Sequence, residues 1–226
     1  MSDSKLVKYT KLSPNHSGER TMSIDRITPH CVVGQCSVET LGKIFEGVSR
    51  KASSNYGIGF DGRVGLYVPE NMRSWCSSSN ANDQRSVTIE CASDMAPPYT
   101  MNDNVYKTLV NLCVDICERN GKNKLIWFGN KEKTLAYKPS KNEMIITVHR
   151  WFANKSCPGD WLYSRLGELA ETVTKKLNYD TKTEITVSRK TLYRVQVGAF
   201  KNKENAIAQL EQLKKAGFDA CIITEH

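Results

Sequence analysis

The sequence predicts an α/β domain, a mixed β-sheet flanked by helices, followed by a small βαβ tail. Three observations predict it. Short apolar runs alternate with amphipathic helical runs up to residue 177. The pattern then lapses over a polar, Thr/Lys-rich stretch at 178–191, which reads as a linker. Residues 192–226 finally repeat one strand–helix–strand cycle.

Taken in order, residues 1–22 read as an irregular lead-in containing Pro14, His16 and Gly18. Ile24–Val33 reads as a strand with His30 near its end. Val38–Arg50 places Leu41, Ile44, Phe45 and Val48 on one helical face. Tyr56–Phe60 and Val64–Val68 flank Asp61-Gly62, a hairpin turn pair. Arg85–Cys91 is a strand with Glu90 near its C-terminal end. Asn104–Asn120 is an amphipathic helix stopped by Gly121. Leu125–Phe128 and Met144–His149 are further strands, and Pro158-Gly159 opens a helix over Asp160–Leu177. In the tail, Leu192–Phe200 is a strand, Lys203–Ala216 a helix capped by Gly217, and Ala220–Thr224 a strand. A unit of this size is too small to stand alone. It is expected to pair with a second copy or to dock.

Composition excludes some classes. Hydrophobic residues are 39% and charged residues 25%, the balance of a globular chain. No run approaches the roughly 20 apolar residues of a membrane span. The net charge of +8 favours polyanionic partners. Its clusters, Lys122–Lys124 and Lys131–Lys133, lie beside Asn and Gly as solvated loops do, and no nucleic-acid motif accompanies them. Eight cysteines in a chain without a secretory signal read as reduced thiols. Cys113 and Cys117 fall in a helical run as packing residues, and Cys31 and Cys36 flank a turn, where a redox pair is the alternative.

A catalytic zinc takes three protein ligands and keeps one position open. Of four histidines, His226 is terminal and His16 lies in the lead-in. His30 and His149 both end apolar runs, and Cys157 follows His149 by eight residues on a loop before Pro158-Gly159. Taken singly, each histidine reads as well as a hydrogen-bonded core residue.

The segment His149-Arg150-Trp151-Phe152-Ala153-Asn154-Lys155-Ser156-Cys157-Pro158-Gly159 resembles the metal segment of the type-2 N-acetylmuramoyl-L-alanine amidases, which include phage lysozyme-like amidases and are related to peptidoglycan recognition proteins. The resemblance extends over roughly residues 22–177. It implies zinc ligands His30, His149 and Cys157, and it matches the family's lysine to Lys155, its catalytic tyrosine to Tyr56 and a glutamate of several members to Glu90. Many members have Asp in place of Cys157, and some have His where this chain has Gly57. Members lacking the third ligand bind peptidoglycan without cutting it, so Cys157 points to catalysis.

The implied reaction cleaves the amide between the lactyl group of N-acetylmuramic acid and L-alanine. Lys155 would stabilise the oxyanion, with Tyr56 and Glu90 sharing the acid–base work. Ser74–Asn82, with Trp75, reads as lining the substrate groove. Tyr193–Phe200 resembles the opening strand of SPOR domains, which bind peptidoglycan glycan strands. Only half the usual length follows, which implies a homodimer through the tail. The polar first ten residues imply synthesis in the cytoplasm, with action on the wall after release by a holin or cell lysis. Two rival readings stay open: a non-catalytic peptidoglycan-binding module of the same fold, and a cytoplasmic amidase that recycles muropeptides.

Overall fold

The computed structural model describes residues 2–187 and 196–223, with backbone alone over 179–187. It divides into two compact units, Met1–Thr183 and Glu184–His226.

The first unit is built on a seven-stranded sheet. Its strands are β1 (Val7–Thr10), β3 (Arg26–Cys31), β4 (Tyr56–Ile58), β5 (Val64–Leu66), β7 (Ser86–Cys91), β8 (Lys124–Ile126) and β9 (Glu143–Ile146), in the spatial order β1-β5-β4-β7-β3-β9-β8. The hairpin β4–β5 is antiparallel and the other pairs are parallel, so the sheet is mixed. Gly62 makes the hairpin turn at φ +82°, where a side chain would be strained. The helices are α1 (Val38–Glu46), α2 (Asn80–Asp83), α3 (Asp103–Arg119), α4 (Lys131–Ala136), α5 (Asp160–Tyr163) and α6 (Leu166–Val187). Ser37, Ser79 and Asn102 cap α1, α2 and α3 by accepting from Thr40 N, Asn82 N and Val105 N.

Strand alternation gives the sheet two unlike faces. Ile27, Tyr56, Ile58, Val87, Ile89, Cys91, Met144 and Ile146 join one core with Leu109, Leu112, Cys113, Ile116 and Cys117 of α3 and Leu169 and Val173 of α6. The thiols at 113 and 117 are thus packing groups, and all eight cysteines are free. The other face is polar in its middle: Thr28 Oγ1 lies 2.5 Å from Ser86 Oγ and 2.8 Å from Thr147 Oγ1, all buried.

The lead-in is not irregular. β1 adds a parallel edge strand beside β5, and β2 (His16–Glu19) pairs antiparallel with β6 (Met72–Ser74) in a second sheet. Each has only four residues with alternate ones exposed, so no apolar run marks them. Their partners, distant in sequence, decide their conformation.

The expected linker also differs at its start, because α6 continues to Val187. No Pro or Gly lies between 178 and 187 to stop it. In the second unit α7 (Lys203–Lys215) forms with Asn202 as its cap. Residues 196–200 and 220–223 carry no strand, and among the described residues of this unit there is no sheet for them to join. The remainder of both expected strands, 192–195 and 224, lies outside the described residues. No helix among the described residues is long and apolar enough to cross a membrane.

Candidate metal centre

His30 sits near the C-terminal end of β3, level with Glu90 on β7. Both belong to the polar face, two residues beyond Thr28 and Thr88. After β9 the chain makes a single 3-10 turn at His149–Trp151 and then loops back, with Arg150 N donating to Cys157 O at 3.1 Å. That closure carries Cys157 Sγ to 3.3 Å from His30 Nδ1. The two imidazoles meet edge to face, their centroids 5.1 Å apart. One ligating atom each from His30, His149 and Cys157 lies within 4.8 Å of the others.

These donors fit zinc. Two imidazole nitrogens and a sulfur form a zinc-type set, and three ligands leave a position open. Burial lowers the pKa of both histidines, assisted at His30 by His149 and at His149 by Lys155, which favours the neutral, ligating form of the rings. His30 Nε2 is buried without a partner. Burial, the Cys31 thiol and Glu90 together push the Cys157 thiol up. A cation at the site is what would favour its thiolate.

Glu90 leans into the same place. Its Oε1 lies 3.9 Å from His30 Nδ1 and 3.8 Å from Cys76 Sγ, and its Oε2 is buried without a partner. Burial raises its carboxyl to about 7, against the opposing pull of Cys76 and Arg50. Lys155 is exposed on the loop between His149 and Cys157.

Tyr56 is not in this group, which corrects the expectation from the family motif. Gly57, not Tyr56, is in register with Glu90, and Tyr56 is level with Ile89. Alternation therefore turns its ring to the opposite face, into the apolar core. There its hydroxyl donates to Glu70 Oε2 at 2.8 Å and accepts from Ser4 N at 3.0 Å. Burial and Glu70 push its phenol pKa far up.

Cys76 and Ser78, which the sequence does not mark, also lie here. Cys76 forms a second close group with His30 and Glu90, and Ser78 Oγ lies 2.9 Å from His149 Nε2. The Ser-rich run had pointed to a groove lining, but nothing in its spacing marks either residue as a neighbour of a histidine.

The sequence profile of the N-acetylmuramoyl-L-alanine amidase family matches residues 19–160, and that of the SPOR domain matches 165–224. A search of curated proteins finds no match. Among solved structures, the catalytic domain of XlyA is similar at 13% identity and a TM-score of 0.52, covering 73% of this chain and 97% of that one. The N-acetylmuramoyl-L-alanine amidase LysC from Clostridium intestinale is similar at 15% identity and a TM-score of 0.45, covering 74% and 96%. Drosophila peptidoglycan recognition protein SD is similar at 15% identity and a TM-score of 0.49, covering 68% and 86%. With its profile matched over more than half its length, and with a mixed sheet like that of XlyA, the chain belongs to the N-acetylmuramoyl-L-alanine amidase family and carries a C-terminal SPOR domain.

Proposed function

We propose that this chain is a zinc-dependent peptidoglycan hydrolase that cleaves the amide between N-acetylmuramic acid and the L-alanine of the stem peptide. The observation that carries this reading is the convergence of His30, His149 and Cys157 beside a carboxylate, Glu90, with one oxygen unpartnered. His30, His149 and Cys157 would hold the metal. Bound there, zinc supplies a Lewis acid and a water that ionises near neutral pH.

The chain's own groups do the rest. Glu90 Oε2, free of hydrogen bonds, accepts a proton from the attacking water and returns it to the leaving amine of L-alanine. The Lys155 ammonium, exposed two residues before Cys157, would neutralise charge developing on the scissile carbonyl oxygen. The SPOR domain would hold the enzyme on glycan strands, raising the local concentration of stem peptides. A wall anchor of this kind suits an endolysin or autolysin acting on intact peptidoglycan rather than an enzyme of soluble fragments.

The test is digestion of purified walls followed by mass spectrometry. New free amino groups on L-alanine are expected, lost after chelation, restored by zinc and absent in Cys157→Ala. Wall retention without new amino termini would instead identify a binding module.

A further inference from the structure

Ser78 stands in a left-handed backbone conformation, φ +61°, at the metal centre. Its Oγ is 2.9 Å from His149 Nε2. A lone hydroxyl near a ring could be incidental, but the loop that carries it is clamped from beneath by buried polar groups. Asp83 Oδ2 accepts from Cys76 N at 3.1 Å, and Asp83 Oδ1 accepts from Ser77 N at 3.2 Å and from Ser77 Oγ at 2.6 Å. Asn82, wholly buried, donates from Nδ2 to Ser77 Oγ at 3.1 Å and to Thr28 Oγ1 at 3.0 Å, while its Oδ1 accepts from Thr147 Oγ1 at 3.0 Å and from Arg26 at 3.1 Å.

Thr28 and Thr147 each stand two residues before a histidine of the candidate metal centre, Thr28 on the same face of β3 as His30 and Thr147 directly after β9, ahead of the 3-10 turn that begins at His149. One asparagine thus ties the segments that deliver His30 and His149 to each other, and ties both to the Cys76–Ser79 loop. The loop cannot shift without breaking hydrogen bonds of buried groups, which are costly to leave unpaired.

We infer that Ser78 is a positioning residue for His149. Its Oγ accepts a hydrogen bond from Nε2–H, which fixes the ring's orientation and its tautomer and leaves Nδ1 with the lone pair for the metal. Asn82 and Asp83 hold the loop in the strained conformation that puts the hydroxyl there. This rests on the metal-centre reading above and assigns a role to a loop that the reaction itself does not require. Hydrogen bonds of this kind to the distal nitrogen of a ligating imidazole are typically worth about 10–100-fold in metal affinity.

The test uses the full chain and zinc alone, in competition with a chromophoric chelator. Ser78→Ala should weaken zinc binding by about 10–100-fold. Ser78→Gly, which relieves the left-handed strain and also lacks the hydroxyl, should weaken it to the same extent. The melting midpoint of the metal-free Ala variant should stay that of the wild type. Two-bond ¹H–¹⁵N spectra of the metal-free wild type should show His149 with its proton on Nε2, and Ser78→Ala should show a mixture of tautomers. Wild-type zinc affinity in both variants, or a His149 tautomer unmoved by Ser78→Ala, would overturn the inference. Cys157→Ala is the control on the underlying reading. If it too binds zinc like the wild type, the metal centre itself is misassigned. If it loses zinc while the Ser78 variants do not, only the role of Ser78 falls.

Discussion

Replacing Tyr56 with Phe separates two roles that the family motif and the tertiary structure give to the same side chain. In the structure the phenol is fully buried on the face of the sheet opposite His30. Removing its oxygen deletes a hydrogen bond to Glu70 Oε2 and leaves Ser4 N without its acceptor. The Glu70 carboxylate keeps Arg119 at 2.8 Å and Asn120 at 3.0 Å, so no unpaired charge is created. A bond to a charged group is worth about 1.5–3 kcal/mol, and a stranded amide adds about 1 kcal/mol where water cannot reach it. The expected destabilisation is therefore about 2.5–4 kcal/mol, which for a domain of this size lowers the melting midpoint by roughly 5–16 °C. A catalytic acid or base, by contrast, contributes about 10²–10⁴-fold in rate. Calorimetry and a wall-lysis assay on Tyr56→Phe, run well below its melting point, measure both quantities. The structural role predicts a lower midpoint with kcat within about threefold of wild type, far less than a lost acid or base would cost. A loss of a hundredfold or more in kcat with an unchanged midpoint would refute the placement of Tyr56.

Lys155→Ala should retain zinc and lose about 10²–10³-fold in kcat, the usual cost of one oxyanion-stabilising donor; full lytic activity at wild-type zinc content would remove Lys155 from the reaction. The Glu143 carboxyl is held at about 2 by hydrogen bonds from Tyr137, Ser140 and Lys124. Its folded value lies below its unfolded one, so its stabilisation is complete above about pH 4.5 and fades as pH falls towards 2. Denaturant titrations should show the wild type exceeding Glu143→Gln at pH 6, the gap narrowing by pH 3 and closing only as pH falls through about 2, and a constant gap would contradict this. In the second unit Val197, Phe200, Ile207, Phe218, Ile222 and Ile223 are exposed, an apolar surface that pairing with a second copy would cover. Light scattering of the full chain at micromolar concentration should report a dimer, and a monomer would exclude pairing through the tail.

Most of the fold is legible in the sequence because the amidase core is written in long, regular patterns. The α3 helix shows its apolar stripe from Val105 to Ile116, and the stop Gly121 marks its end, while its cap Asn102 is seen only in the structure. The apolar faces of β3, β7 and β9 read as strands for the same reason. β1 and β2 do not, because four-residue strands rich in polar residues take their conformation from the partner beside them. The flanks of α7 fail in the opposite sense. Their alternation is strand-like, yet the described residues form no strand without a sheet to complete.

The candidate site divides along the same line. The sequence by itself determined which donors were available: two histidines at strand ends, and a cysteine on a short loop after the second. Residue type and order in the chain suffice for that. The tertiary structure decided which of the matched residues share the space. Strand register turns Glu90 towards His30 and Tyr56 away from it, since neighbouring residues of a strand face opposite sides and only pairing with β7 shows which side is which. It also brought Cys76 and Ser78 beside His30 and His149, because a buried Asn82–Asp83 clamp, joining segments more than fifty residues apart, has no periodic trace in the chain.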